Sequence, residues 1–308
     1  MKLIINNRNL SQLCSKMIWS GDEFNVVRKL RFDVAWSKVD YYLKILNVEI
    51  KEGDTVFFKT DEDKILFRGV IIDISHSESG SSLSFTAFDY MFYVNNSDIN
   101  LVSDSTAENI TAQICSQLGI KHGSLAQTNI QQYQAFLSVK AYKAIIKAYS
   151  FASNKTGKKY MPIMDDDKLT VIEKGQDSGV VLDEDYNLTD ASYKVSLSKL
   201  VNKVLVLSAD GVILDTIIDE NLKRYGIVQK TVTEDRDKAK AMLHGAERTI
   251  NVSAIGDIRA ISGRSLMYID PDTKKKVKFY ISSDSHTFTD SSEVMNLELV
   301  LENVMDEG

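Results

Sequence analysis

Residues 50–75 read IKEGDTVFFKTDEDKILFRGVIIDIS. Two runs rich in Val, Ile and Phe are set off by polar breaks at Glu52-Gly53-Asp54 and Asp61-Glu62-Asp63. Runs bounded this way read as strands joined by tight turns. The pattern extends in both directions. In RKLRFDVAW (28–36), Leu30, Phe32 and Val34 alternate against Arg31 and Asp33, the period of a half-buried strand. SLSFTAFDYMFYV (82–94) closes the block with aromatic-rich, sheet-compatible sequence. Short strands at this spacing predict a small antiparallel barrel or sandwich within residues 1–100.

Helical periodicity follows. Ser105-Thr106-Ala107-Glu108 fits a capping box, Ala107, Ile110, Ile114 and Leu118 share one helical face, and Gly119 is the stop. A second helix is expected through VKAYKAIIKAYSFAS, with Ala141, Ala144, Ile145, Ala148 and Ala152 inward. KYMPIMDDDKLTVIEKG (159–175) predicts a hairpin turning at Asp165-Asp166-Asp167, and NKVLVLSADGVILDTII (202–218) one turning at Asp210-Gly211. TEDRDKAKAMLHGAERTI (233–250) carries a helical stripe of Ala239, Met242, Leu243, Ala246 and Ile250. SLMYID and VKFYIS flank a turn at Pro271-Asp272, and MNLELVLEN alternates again. The expected class is α+β, mostly β: two small antiparallel β-barrel modules (1–100 and 195–308) flanking a mixed α/β segment (101–194).

Composition narrows the function classes. The 308 residues carry 37 basic and 43 acidic side chains, intermixed, for a net charge of −6. Sequence-independent nucleic-acid binding requires clustered Lys and Arg, so no stable binding of that kind is expected. Cys14 and Cys115 form no CxxC and read as small buried hydrophobes. No apolar run approaches the length of a membrane span or a signal-peptide core, so no membrane insertion is expected. With two prolines, the chain has no Pro-rich linker.

The search for chemistry starts at SSDSHTFTD (282–290), where Asp284, Ser285 and His286 are the residue types of a hydrolase triad. Successive strand residues face opposite sides and cannot converge on one reacting atom, so a polar strand face is the better reading. Asp165, Asp166 and Asp167 lack the spacing of a calcium loop and read as a solvated turn. His76, His122, His244 and His286 are scattered, with no zinc-ligand spacing, and His244 falls on the polar side of its helix. No phosphate-binding glycine loop is present, and among 43 acidic residues no carboxylate pair stands out as catalytic. No catalytic, metal or cofactor site is expected.

The chain resembles the baseplate hub proteins of contractile phage tails and phage-tail-like bacteriocins, in the XkdQ-type branch related to the late-control D and gene-product-27 hubs. The resemblance runs from VRKLRFDVAW through IKEGDTVFFKTDEDKILFRGVIIDI, FTAFDYMFYVNNSD and SDSTAENITAQICSQLGI to TGKKYMPIMDDDKLTVIEKG, KRYGIVQKTVTEDRDKAKAMLHGA and YISSDSHTFTD. Its motif positions are Gly53 and Asp54, which open a strand, Phe67 and Gly69 in LFRGVI, Asp89 after FTAF, and Gly226 in RYGI. Gly69 suits a bulge or a close backbone approach, and Asp89 suits a turn cap. The resemblance implies a non-enzymatic homotrimer adapting a sixfold tail tube to a threefold spike. Implied partners are the central spike protein, the tail tube protein, and baseplate wedge and tail-assembly proteins. The implied location is a virion or phage-tail-like particle assembled in the bacterial cytoplasm. A cell-wall hydrolase and a carbohydrate- or receptor-binding β module are the alternatives from other classes.

Overall fold

The computed structural model describes residues 1–35, 50–76 and 82–306. Trp36 of RKLRFDVAW lies outside them. The chain forms two compact units, Met1–Asp190 with Val252–Gly308, and Ala191–Asn251. The larger unit brings the last strands of the chain together with the first.

The N-terminal strands are β1 (Lys2–Ile5), β2 (Arg8–Asn9), β3 (Cys14–Asp22), β4 (Lys29–Ala35), β5 (Thr55–Lys59), β6 (Ile65–His76) and β7 (Ser82–Asp89). Leu30, Phe32 and Val34 are buried as the alternation requires. A middle segment follows with α1 (Met91–Asn96), β8 (Asp98–Ser105), α2 (Ala107–Leu118), β9 (Lys121–Leu125), β10 (Gln132–Lys140), α3 (Ala141–Thr156), β11 (Tyr160–Asp165) and β12 (Lys168–Glu173). The remainder comprises β13 (Gln176–Leu182), β14 (Leu188–Ser196), β15 (Lys203–Leu207), β16 (Ile213–Ile218), β17 (Gln229–Thr233), α4 (Arg236–Ala241), β18 (Glu247–Ile255), β19 (Arg264–Ile269), β20 (Lys276–Thr289) and β21 (Glu293–Val300).

In the larger unit the main sheet runs β21-β20-β3-β4-β7-β6-β5-β1-β2, with β19 also on β20 and β13 on β19. Strands β20 and β5 lie five places apart, about 24 Å in a flat sheet. Yet the Phe58 and Phe288 rings they carry sit 5.0 Å apart, edge to face. The sheet therefore curls around its core, where Leu3, Ile5, Trp19, Phe32, Val56 and Phe85 belong to one cluster. A second cluster lies under the helices, with Ile110 and Ile114 of α2 against Ile145, Ala148 and Tyr149 of α3.

The smaller unit is a three-stranded sheet, β16-β15-β17, with α4. Its core is slight: Val201, Val204, Val206 and Ala239, joined by Ile217, Val232, Met242 and Leu243. Asn202 substitutes for missing apolar contacts by holding Leu222 O, Gly226 O and the Val228 amide.

Helix α3 follows its alanine spacing, and all five expected inner residues are fully buried. The β11–β12 and β15–β16 hairpins turn where expected, with Asp166 and Gly211 at positive φ. Three details differ from the sequence reading. Thr106 precedes α2 without a side-chain cap, and Glu108 instead accepts from the Thr128 hydroxyl (2.7 Å) and the Asn129 amide. The third helix stops at Ala241, because His244 pairs with Val201 and Glu247–Ile255 is extended. The acidic turn is not simply solvated: Arg68 reaches Asp166 and Asp167, and Lys121 pairs with Asp167 at 2.7 Å.

Candidate functional site

Five of the six motif residues sit around β5, β6 and β7. Gly53 adopts φ 88° in the turn before β5, its amide bonded to Ile71 O. Asp54 closes that turn, accepting from the Lys51 amide at 2.8 Å and the Asn6 side chain at 2.9 Å. Phe67 is buried in the sheet core. Gly69 pairs with Asp89, and a Cβ there would lie 2.2 Å from Phe88 O and 2.6 Å from the Phe67 ring. Asp89 is buried and caps the entry to α1, accepting from the Met91 amide (3.1 Å) and the Arg28 amide (3.3 Å). Burial pushes its carboxyl up to about 7, against the pull of those donors and of Arg28. Gly226 belongs to the smaller unit, where it ends a short 3₁₀ turn at φ 85° and offers its carbonyl to Asn202.

The Asp-Ser-His run resolves into something other than a triad or a polar face. Asp284 and His286 are buried on the inner side of β20, two residues apart, while Ser285 faces the other way. Asp284 accepts from both terminal guanidinium nitrogens of Arg28, at 3.0 and 2.5 Å, and from the Ser262 amide at 2.7 Å. Arg28 lies over the Trp19 ring, 4.1 Å from its centroid. His286 is fully buried, with Nε2 3.0 Å from Ala260 O and 3.6 Å from Asp284. Both neighbours accept, so Nε2 carries the proton of the neutral ring. Nδ1 has no hydrogen-bond partner among the described residues. Among the described residues no nucleophile faces this imidazole, and Asp284 is committed to Arg28.

A second buried ion pair stands beside this one. Lys174 Nζ, in the β12–β13 turn, reaches Glu23 and the carbonyl of Val304, and both charged side chains are almost inaccessible. The Glu23 amide donates to Ser282 O, so the pair ties the end of β3 to β20 and to the segment after β21. Nothing in the sequence marks Glu23, Arg28 or Lys174: each is an ordinary charge until the fold brings up a partner 130 or more positions away.

Binding chemistry is otherwise sparse. Among the described residues no group of three His, Cys, Asp or Glu could hold a metal ion, and no helix is long and apolar enough to cross a membrane. Both cysteines are buried, their thiols pushed up to about 12 (Cys14) and about 11 (Cys115), mainly by burial. A cavity of about 430 Å³ between Arg68, Tyr90, Tyr93, Lys121 and Asp167 is lined by charges that already pair with each other.

The surface is more informative. On the β8–β10 pair, Val102, Tyr133 and Leu137 are exposed on one face, opposite the buried Ile99 and Phe136. On the smaller unit Val212, Ile213 and Leu214 project at the tip of the β15–β16 hairpin. Exposed apolar side chains gathered on one sheet face, as on β8–β10, mark protein-contact surfaces rather than catalytic clefts.

Comparison with known proteins adds the context. A family described as YqbQ-like matches residues 17–300. The phage-like element PBSX protein XkdQ of Bacillus subtilis is 28% identical over 278 residues, covering 84% of this chain and 85% of its own. Among solved structures, the prophage MuSo2 43 kDa tail protein of Shewanella oneidensis superposes with a TM-score of 0.73 at 12% identity, over 97% of each chain. The E. coli c3393 protein, described as a type VI secretion component structurally similar to the T4 tail proteins gp27 and gp5, gives 0.59 at 9% identity. That match covers 98% of this chain and 77% of the other.

Proposed function

Because the chain belongs to the YqbQ-like family, we propose that it is a structural protein of a phage-tail baseplate and acts there as the hub. In this reading three copies form a closed ring that adapts a sixfold tail tube to a threefold spike. Residues 1–100 and 195–308 supply the two barrel-like modules of each copy, and residues 101–194 the intervening segment. Gly53, Asp54, Phe67, Gly69, Asp89 and Gly226 serve as framework positions, not as a reactive site. The partners are the central spike, the tube protein, and wedge and assembly proteins, in a virion or phage-tail-like particle assembled in the bacterial cytoplasm. The protein itself is not an enzyme, and its bore does not grip nucleic acid.

The observation that carries this reading is fold likeness along the whole chain, 97% in both directions, to a prophage tail protein. The exposed apolar faces support it, because a protein built to be enclosed by partners leaves such faces bare in isolation. Light scattering and negative-stain microscopy of the purified chain, alone and with its spike protein, test it. The expected species is roughly 100 kDa with threefold symmetry and a central hole, three copies of the 34.6 kDa chain. A chain that stays monomeric with the spike present, or that clears cell wall in a zymogram, overturns the reading.

A further inference from the structure

Strands β3 and β20 join the N-terminal strands to the last strands of the chain, in antiparallel register from Lys16↔Thr289 to Asp22↔Ser283. The buried charges described above gather along this seam. His286 lies opposite Trp19 across it and opposite Met295 on β21. Its ring sits 5.4 Å from Trp19 and 6.4 Å from Phe288. The charged groups around it are Asp284 on its own strand, Arg28 before β4, and Asp257 from the 257–262 loop, itself held by Arg259. Glu293 of β21 lies at the edge of the same loop, against Gly256 and near Asp257.

These groups leave no place for a second proton on the ring. Asp284, the one carboxylate in reach among the described residues, already accepts Arg28 and the Ser262 amide. A proton on Nδ1 creates a buried N–H with no acceptor among the described residues and a second positive charge near Arg28. We propose that the β3–β20 seam is an acid-sensitive joint: protonation of His286 opens the register between Cys14–Asp22 and Lys276–Thr289 and releases the N-terminal strands from the C-terminal ones.

Burial holds the imidazole below its ordinary range; Asp284 pulls it up and Arg28 pushes it down. The sign follows. A depressed histidine contributes stability that is present above the ordinary histidine range and lost as the pH falls through the folded value. The joint does not depend on the hub reading, since it concerns one chain.

Hydrogen exchange at pH 7.5 and 5.0, corrected for intrinsic rates, tests it, with β5 and β6 as internal references. The expected result is that protection in β3 and β20 falls about tenfold more than in the reference strands. In His286→Phe, which keeps an aromatic ring between Trp19 and Phe288, this excess loss disappears. No excess loss in the unmodified protein, or the same loss in H286F, overturns the proposal. Should H286F fail to fold, an NMR titration of the imidazoles decides alone. His286 must titrate below the ordinary histidine range, and titration within or above that range overturns the joint.

Discussion

At the scale of single residues, the larger unit is decided by close approaches and buried charges. Gly69 shows the first. The missing Cβ admits the Phe88 carbonyl and the Phe67 ring, so Gly69→Ala forces β6 and β7 apart. The expected loss is about 1–3 kcal/mol, as for overpacking elsewhere, and a urea titration reads it; an unchanged midpoint means the strands give way without strain. Asp89 shows the second. Its carboxyl sits at about 7 in the fold, above the usual value for an unfolded aspartate. The folded state thus holds a proton that the unfolded chain has released, and this contribution is lost as the pH rises through about 7. Asp89→Asn keeps an acceptor for the Arg28 and Met91 amides and removes the proton. Its urea midpoint should therefore fall less between pH 5 and 8 than that of the unmodified chain. Equal pH dependence in the two proteins would show that Asp89 does not titrate there. His286 acts with the opposite sign, so the D89N and H286F profiles separate the two groups.

At the scale of elements, legibility tracked how local the determinant is. Helix α3 was readable because its alanines repeat at helical spacing, and the hairpins because Asp166 and Gly211 tolerate positive φ. The segment after Ala241 was not, since MLHGAERTI continues the helical stripe and carries little strand signal of its own. The tertiary pairing of His244 with Val201 settles it as extended. The capping box failed for a similar reason: Glu108 finds better donors in the 128–129 loop than in its own helix. Least legible was the seam, where the Asp-Ser-His run reads as a polar strand face although Asp284 and His286 point into the interior. Arg28, 256 residues away, is what makes that burial possible. The Glu23–Lys174 pair gives this an energetic test. Removing one partner of a buried pair leaves an uncompensated charge, so Lys174→Met should destabilise by about 3–5 kcal/mol. Glu23→Leu added to it should recover most of that loss. A double variant no better than the single one would show that the Lys174 contact to Val304 O, not the ion pair, is what matters.

At the scale of the whole molecule, most of the core follows from sequence alternation, whereas the functional surface does not. Alternation explains an exposed polar face; it does not explain Val102, Tyr133 and Leu137 in the open, or Val212, Ile213 and Leu214 at a hairpin tip. Neither set closes a core in its own unit, so the chain gains no folding stability from their apolar character. In the hub proposed above, further copies, a tube and a spike would supply the missing cover, and this makes the surface separable from the fold. Replacing either set with serines should leave the circular dichroism and the urea midpoint of the isolated chain unchanged within about 0.5 kcal/mol. In at least one of the two triple variants the threefold species formed with the spike protein should be lost, because burying these side chains is what association gains. Loss of folding in both variants would make them core residues after all. Full assembly by both would move the contact surface elsewhere on the chain and leave these faces without a role in the ring.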